Sequence, residues 1–353
     1  MQDLKNNNDS NSDTVKKKTS NPLLAWAIPI ILALVFIISF EKLAHNYWKY
    51  ESPLLVKMIV FIGLYFAINW IYNAIFVTPN TNQVKPEPHP GTNWPTSGPL
   101  KRFGNKIAIF TYLPSILLSA FNPFQFVQMM KQLFGQFKVS ARIKDKEEEF
   151  ANYRTKVKYR LPFNDEWLIY NGGHRPETSH SWSILAQRYA YDFVIADADF
   201  CRHTGNGMHL NDYYCYNQPI VAAADGEVVS LTNNIGPAPL VGFFFIDFFS
   251  RSFLGNHIII KHADGEYGFY AHLVKGSIKL KPGDQIIKGQ QIGCCGHTGH
   301  STEPHLHFQL QDRANFYLAM GLPVIFEHIT LNNNLLDEEC YIERGSRVEN
   351  TTN

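Results

Sequence analysis

An uncharged apolar run near the amino terminus is the first constraint on how this chain can fold. No Asp, Glu, Lys, Arg or His occurs between Pro22 and Phe40. A run of that length is about long enough to cross a lipid bilayer as a helix. A secretory signal has a shorter apolar core followed by a small-residue cleavage site, and no such site is recognisable here. We therefore expect residues 22–40 to be a retained membrane anchor.

Two further uncharged runs follow, at residues 58–77 and 107–130. The second of these is broken by Pro114 and Pro123 and carries the polar residue Gln125. It is therefore expected either to cross the membrane or to lie flat on it as an amphipathic segment. The three runs define a predicted membrane region over residues 22–130.

The polar segments around these runs provide evidence on how the chain is oriented in the membrane. Residues 1–21 are rich in Asn, Ser, Asp and Lys, cannot bury enough apolar surface to fold, and are predicted to be a disordered tail. The lysines of this tail favour the cytoplasmic side of the membrane. Basic residues occur on both sides of the third run, at 101–106 and at 131–146. The charge pattern by itself therefore leaves the number of crossings open.

The character of the chain changes after the membrane region. Residues 131–158 are charged and predict a helical or flexible stalk. Over residues 159–330, short Val, Ile, Phe and Tyr runs alternate with turn residues, as in QPIVAAADGEVVSL and KPGDQIIKGQQIGCCG. Strands separated by tight turns predict a mainly β domain of antiparallel hairpins. Residues 331–353 are expected to be a C-terminal tail.

Composition excludes some functions and leaves others open. The formal net charge is +1, and a nucleic-acid-binding protein usually has a strong basic surplus, so we expect no nucleic-acid partner. The five cysteines form no CxxC pair, which argues against a cysteine-based zinc site. Cys201 and Cys215 flank a loop-like stretch. They either pair in an oxidising compartment or remain separate thiols.

Candidate functional residues cluster in the β-rich part of the chain. His305 and His307, in EPHLHFQL, alternate on a predicted strand, so both imidazoles would project from the same face. Such a pair fits a metal or acid–base site, and it also fits two surface histidines. Asp192 lies within the apolar strand YAYDFVI, where a carboxylate is costly to bury unless it is paired or metal-bound. His272 ends another strand, in FYAHL.

The order of these segments resembles that of the lysostaphin/LytM-type zinc metalloendopeptidases, in a branch with a QRYAxDF segment. Between about residues 161 and 312 the chain contains YDF, PIVAAADGEVV, GNHIIIKHADGEYGFYAHL, KPGDQIIKGQQIG and GHTGHSTEPHLHFQL, in the order found in that family. The resemblance implies a small antiparallel β-sheet peptidase domain, with hairpins like those of lipoyl and duplicated-hybrid domains. It also implies an active-site groove.

The resemblance further implies a bound Zn²⁺ with Asp192 and His307 as ligands, and His272 and His305 as residues that assist catalysis. In that family the remaining ligand is a histidine four residues before the aspartate. In this chain that position is occupied by Arg188.

The replacement leaves three possibilities for the third ligand. We take His180, in the loop before the QRYAYDF segment, as the candidate and His174 as the second choice. Alternatively, the third ligand is missing and zinc binding is impaired. With three protein ligands the zinc would keep an open position for water, which is typical of a catalytic site.

The nearby polar residues are less informative. Arg188, His297 and His300 are tentative residues of a substrate groove; for the two histidines, a polar turn is the alternative. Glu303 either orients an imidazole or is an exposed turn carboxylate.

We expect from the resemblance a zinc-dependent endopeptidase that acts on peptide bonds of peptidoglycan outside the cytoplasm. That location favours three membrane crossings. The replaced histidine motivates one alternative, a non-catalytic wall-binding or hydrolase-activating member of the same fold. The hairpins motivate another, a phosphocarrier or lipoyl-type domain. The sequence does not identify protein partners.

Overall fold

The computed structural model describes residues 22–49, 51–76, 108–336 and 339–351. The chain divides into two compact units, Met1–Lys85 and Pro86–Asn353. The predicted disordered tail and the basic residues 101–106 lie outside the described residues.

The first unit contains two packed helices, α1 (Pro22–Trp48) and α2 (Leu54–Phe76). Among the described helices, α1 is long and apolar enough to cross a membrane, over Ile30–Tyr47, and α2 has a shorter apolar stretch at Leu54–Phe66.

The second unit begins with α3 (Ala108–Ser119), α4 (Pro123–Ile143) and α5 (Glu147–Ala151). The predicted third crossing at 107–130 is not one continuous helix. The backbone breaks between α3 and α4, where the Asn122 side chain accepts hydrogen bonds from two backbone amides in the first turn of α4. This N-cap supports the proline-initiated helix.

The predicted stalk at 131–158 is also corrected by the structure. Its first half is the continuation of α4, and its second half packs on the β domain. Phe150 contacts the hydrophobic core, and the Tyr153 hydroxyl donates to Glu266 Oε1 over 2.8 Å. These residues are therefore part of the folded domain.

The remaining chain confirms the mainly β prediction. Its described residues form one antiparallel sheet of eleven strands and a separate two-stranded sheet. The strands are β1 (Trp167–Asn171), β2 (Tyr191–Val194), β3 (Pro219–Val221), β4 (Gly226–Thr232), β5 (Asn256–Ala263), β6 (Glu266–Leu273), β7 (Gln285–Ile286), β8 (Gln291–Cys294), β9 (Leu306–Gln311), β10 (Gly321–Leu322), β11 (Ile329–Leu331), β12 (Asn334–Leu336) and β13 (Arg347–Asn350). The order in the large sheet is β12-β11-β13-β1-β2-β9-β6-β5-β4-β7, with β10 on β9, and β3 pairs with β8.

The described residues of the predicted tail at 331–353 form strands of the large sheet and the segments between them. β13 lies between β11 and β1, with Val348 opposite both Trp167 and Leu331. Val348 is buried in the core, which ties this segment to the sheet. A four-residue strand among polar residues carries too little periodicity to be recognised from sequence.

Alternation along the central strands separates the core from the functional face. On β2, Tyr191 and Phe193 enter the hydrophobic core, and on β9, Leu306 and Phe308 do the same. Because successive side chains point to opposite sides of a sheet, Asp192 emerges on the other face. The apolar neighbours of this residue thus hold the sheet together and leave the carboxylate on the opposite side.

Candidate active site

Three adjacent strands, β2, β9 and β6, bring the predicted polar residues together. Asp192 on β2 is directly opposite His307 on β9, and His307 is opposite Ala271 on β6, next to His272. Strand register therefore places residues that are far apart in sequence side by side.

Three imidazoles surround the carboxylate of Asp192. His307 Nδ1 lies 3.0 Å from Asp192 Oδ1, and His305 Nε2 lies 3.7 Å from the same oxygen. His180 Nε2 lies 3.5 Å from Asp192 Oδ2. Asn171, which sequence analysis did not single out, donates to Oδ2 over 3.3 Å. Asp192 is thus the centre of the cluster.

His180 reaches Asp192 because the loop between β1 and β2 folds back on itself. Ser179 Oγ donates to the Arg188 carbonyl over 2.9 Å, and Ser181 Oγ donates to the Gln187 carbonyl over 2.8 Å. These two hydrogen bonds flank His180 and fix its place in the loop.

The other two positions considered for the third ligand lie elsewhere. Arg188 Nε donates to the Trp182 carbonyl over 3.2 Å, and its guanidinium lies over the Trp182 ring. His174 Nδ1 is 3.0 Å from Glu343 Oε1, and its ring stacks on Tyr341. Of the three positions, the structure brings His180 to the carboxylate.

His272 and His305 are oriented by backbone carbonyls. His272 Nδ1 is 2.7 Å from the Thr298 carbonyl, and His305 Nδ1 is 2.8 Å from the Glu303 carbonyl. A carbonyl oxygen can only accept, so each Nδ1 carries the proton and donates. The neutral rings therefore have their lone pair on Nε2. Their centroids are 4.7 Å apart.

The backbone of His272 departs from regular strand geometry, with φ of 63°. Tyr270 and Leu273 both enter the core. The alternation is broken between them, and His272 joins Ala271 on the cavity side. A left-handed conformation is strained for a residue other than glycine, and such strain is frequent at functional sites.

A chain of hydrogen bonds along β9 defines the tautomer of His307. Gln311 Nε2 donates to the Arg313 carbonyl over 2.8 Å, which leaves Gln311 Oε1 to accept from Gln309 Nε2 over 2.7 Å. Gln309 Oε1 must then accept from His307 Nε2, 3.1 Å away. His307 consequently presents an unprotonated Nδ1 to Asp192 when its ring is neutral.

The electrostatics of the cluster favour an ionised Asp192 carboxylate. Burial by itself would raise the pKa of Asp192, but His180, the hydrogen bond that His307 Nδ1 can donate when its ring carries both protons, and the nearby His305 together hold that pKa well below its usual range. Burial, followed by the neighbouring imidazoles, lowers the pKa of His272 well below its ordinary value.

The cluster opens into a cavity of about 420 Å³. Of the tentative groove residues, His300 lines this cavity, whereas Arg188 and His297 do not. His297 is buried, with Nδ1 2.8 Å from Ser301 Oγ, and burial lowers its pKa to about 3. His300 Nε2 donates to Gln125 Oε1 over 2.8 Å, which connects α4 to the site.

Several cavity residues were missed by sequence analysis. Tyr112 from α3 and Gln132 from α4 line one side, together with Phe244 and Ile246. The first two belong to the predicted membrane region and stalk, so no sequence signal connected them with the histidines. Ile246 N donates to Ser115 Oγ over 3.2 Å, which holds this side against α3.

Glu303 is neither an exposed turn residue nor an imidazole partner through its carboxylate. It forms a buried ion pair with Arg202, with 2.5 Å between Oε1 and Nε. Its backbone carbonyl, not its side chain, orients His305. Cys201 and Cys215 are separate thiols, and Cys215 Sγ contacts the Pro304 carbonyl instead.

The site geometry agrees with the family resemblance. Residues 204–317 match the sequence profile of peptidase family M23. The β domain belongs to this family, the lysostaphin/LytM family. The match includes His272, His305 and His307 and begins after His180 and Asp192. Strands β1 and β2, which precede residue 204, thus lie outside the segment that matches the M23 profile.

Curated proteins share this M23 segment with the chain. The cell division protein DipM of Caulobacter vibrioides is 32% identical over 93 residues, covering 26% of this chain and 12% of that protein. The peptidoglycan DD-endopeptidase ShyA of Vibrio cholerae is 33% identical over 113 residues, covering 30% and 22%. The glycyl-glycine endopeptidase ALE-1 of Staphylococcus capitis is 34% identical over 136 residues, covering 38% and 32%. The matches therefore span at most 32% of these three relatives.

A crystal structure of a zinc-containing peptidase from Vibrio cholerae aligns with 47% of this chain and 39% of its own, at 20% identity and a TM-score of 0.29. Within the part of the chain that the structure describes, no group of three or more His, Cys, Asp or Glu side chains is arranged so that it could hold a metal ion. Around Asp192, each imidazole nitrogen of His180, His305 and His307 makes its own contact with one carboxylate oxygen.

Proposed function

We propose that this chain is a zinc-dependent endopeptidase that hydrolyses peptide bonds in peptidoglycan. The observation that carries the proposal is the buried Asp192 carboxylate, held among His180, His305 and His307 at the wall of a cavity. A domain that only binds cell wall has no physical need for this combination of buried carboxylate and tautomer-defined imidazoles.

The donor types fit zinc, which takes imidazole nitrogens and carboxylate oxygens. His307 Nδ1 lies 3.0 Å from Asp192 Oδ1, and His180 Nε2 lies 3.5 Å from Asp192 Oδ2. We assign His180, Asp192 and His307 as the ligands.

A bound zinc ion would supply Lewis acidity and would bring the pKa of water toward about 7. The protein supplies the proton acceptor. His272 and His305 each present an unprotonated Nε2 because a backbone carbonyl fixes the proton on Nδ1. Either imidazole can take a proton from the attacking water, and that same imidazole, once protonated, can donate a hydrogen bond from Nε2 to the oxyanion.

Substrate and location rest on the relatives and on α1. ShyA is named as a peptidoglycan DD-endopeptidase and ALE-1 as a glycyl-glycine endopeptidase, and the Asp192 cavity has a volume of about 420 Å³. The lysine-rich tail favours a cytoplasmic amino terminus, and a single crossing by α1 would then place the domain outside. We therefore propose a membrane-anchored enzyme with an extracytoplasmic peptidase domain.

Zinc analysis of the full chain, purified in detergent, tests the ligand set. We expect about one zinc per chain in the wild type and a clear loss in His180→Ala. His174→Ala is the matched control, because that imidazole is paired with Glu343 and should leave the zinc content unchanged. Retained zinc in His180→Ala would contradict the assignment.

Incubation with purified peptidoglycan separates the enzyme from the wall-binding alternative. The enzyme should release new amino termini, and a chelator should abolish the release. A chain that binds zinc and peptidoglycan but releases no amino termini would support the non-catalytic alternative. Release that persists without metal would contradict the zinc mechanism.

A further inference from the structure

Helix α4 is amphipathic, but its glutamine-rich face points toward the β domain, whereas a helix on the surface of a soluble domain points its polar face toward solvent. Its glutamines, Gln125, Gln128, Gln132 and Gln136, recur at spacings of three or four residues and therefore share one helical face. That polar face is directed at the β domain. The apolar face points away from it.

The inner face is held by polar contacts. Gln125 Nε2 donates to the carbonyls of Asp247 and Ser250 over 2.6 and 2.9 Å. Farther along the helix, Gln136 donates to the Ser183 carbonyl over 2.6 Å and accepts from Leu185 N over 3.0 Å. In the last two turns Val139 and Ile143 add apolar contacts with the rest of the domain.

The outer face consists of large apolar side chains. Phe126, Val127, Leu133, Phe134 and Phe137 have exposed fractions between 46% and 64%. The same surface continues over α3 and the turn after it. Its members there are Leu113, Leu117, Leu118 and Phe121.

Helix α4 cannot roll over to bury these side chains against the domain. Gly135 sits so close to Tyr317 that a Cβ at this position would lie 1.8 Å from the Tyr317 carbonyl oxygen. Arg142 is paired with Asp312 near the end of the helix. Exposed apolar side chains in this number, held outward, are typical of an interaction site.

We propose that the apolar face of α3 and α4 lies in the surface of a lipid bilayer. The same chain contains α1, which is long and apolar enough to cross a membrane. The side chains are mainly Phe and Leu, and Lys131 and Lys138 border them on α4, where they can pair with anionic lipid headgroups. At about 1.5 Å per residue, the 21 residues of α4 would lie in the membrane plane over about 31 Å.

This docking would fix the position of the candidate active site. Tyr112 of α3 and Gln132 of α4 line the cavity that contains His305. Lipid contact on the outer face of these helices would therefore hold the cavity next to the membrane surface. The proposal goes beyond the peptidase function and does not depend on its chemistry.

Photochemical labelling of the full chain in vesicles tests the proposal. The vesicles contain phosphatidylcholine, phosphatidylglycerol and a trace of phospholipid with a diazirine on its acyl chain. After irradiation, we expect labelled peptides from residues 121–137 as well as from α1, which is the internal control. Peptides with the exposed apolar residues Ile287 and Leu335 of the β domain should remain unlabelled.

Variants separate lipid contact from the fold and from catalysis. Phe134→Ser combined with Phe137→Ser alters exposed side chains, so the fold should persist while labelling of 121–137 is lost and labelling of α1 is kept. Lys131→Glu with Lys138→Glu should reduce labelling in phosphatidylglycerol vesicles and have less effect in pure phosphatidylcholine. His305→Ala should label like the wild type, whatever its activity.

Two results would overturn the proposal. The first is labelling of α1 without labelling of residues 121–137. The second is a photocrosslink from position 134 to another copy of the chain in place of lipid, which would identify the face as a protein interface.

Discussion

Histidines in two regions of the β domain differ in which ring nitrogens are hydrogen-bonded. At the cavity, His272 and His305 each use Nδ1 on a backbone carbonyl and keep Nε2 available. Near the other end of β5 and β6, His262 uses both nitrogens, with Nδ1 2.8 Å from the Asp225 carbonyl and Nε2 3.2 Å from the Tyr270 hydroxyl. A strand histidine can take part in chemistry only when its surroundings leave one nitrogen free.

A free nitrogen is not sufficient, as His257 shows. Its Nδ1 lies 3.0 Å from the Gly255 carbonyl, as in the cavity histidines, but it lines a separate cavity between α4 and the sheet. The Asp192 cavity differs because a carboxylate and several imidazoles share it. The groups around each imidazole therefore decide whether it can take part in catalysis. The substitutions below test this.

The largest expected effect is on catalysis. His305→Ala should lower kcat for peptidoglycan peptides by about 10²–10⁴-fold, because it removes a general acid–base group. His257→Ala removes an imidazole with the same backbone contact and should change kcat little. Zinc content should be retained in both variants. A tenfold or smaller loss of kcat in His305→Ala would mean that His305 contributes no more to catalysis than a histidine outside the Asp192 cavity.

A smaller effect is expected for the hydrogen bonds behind His307. Gln309→Leu removes the acceptor that fixes the proton on His307 Nε2, and should weaken zinc binding by about 10–100-fold. Competition with a chelator measures the affinity. Gln285→Leu, on the edge strand β7, is the control. In the metal-free wild type, ¹⁵N NMR should show the His307 proton on Nε2, and a proton on Nδ1 would contradict the assignment.

The smallest expected effect concerns His262 and stability. Burial lowers the pKa of His262 to about 4, from an ordinary value of about 6.5, so the unfolded chain binds a proton more readily than the native one. Stability is therefore fully present above about pH 6.5 and is lost as the pH falls towards 4, by up to about 1.4 kcal/mol per unit for this group.

Thermal unfolding in detergent between pH 7 and 4 measures this contribution. His262→Gln should make the decline shallower, while His328→Gln, at an exposed position, should not. An unchanged slope in His262→Gln would mean that the contacts to Asp225 and Tyr270 do not keep this imidazole neutral.

The sequence by itself determined the β architecture and the strand faces on which Asp192 and His307 lie. Alternation in YAYDFVI and HLHFQL was enough to separate core residues from Asp192 and His307, because a strand has a fixed two-residue period. It did not predict β13, since four residues among polar neighbours carry little periodicity. It also did not predict that α3 and α4 line the cavity, because the uncharged run at 107–130 indicated only a segment that crosses the membrane or lies flat on it.

Only the tertiary structure decided how the site is completed. His180 and His174 were both possible from sequence, and the loop hydrogen bonds of Ser179 and Ser181 brought the former to Asp192. The φ of His272 and the carbonyls of Thr298 and Glu303 set the directions of the imidazoles, and no local pattern encodes these contacts. Sequence periodicity fixes which side of a strand a residue occupies, but the distance and the tautomer depend on groups that meet only when distant segments pack.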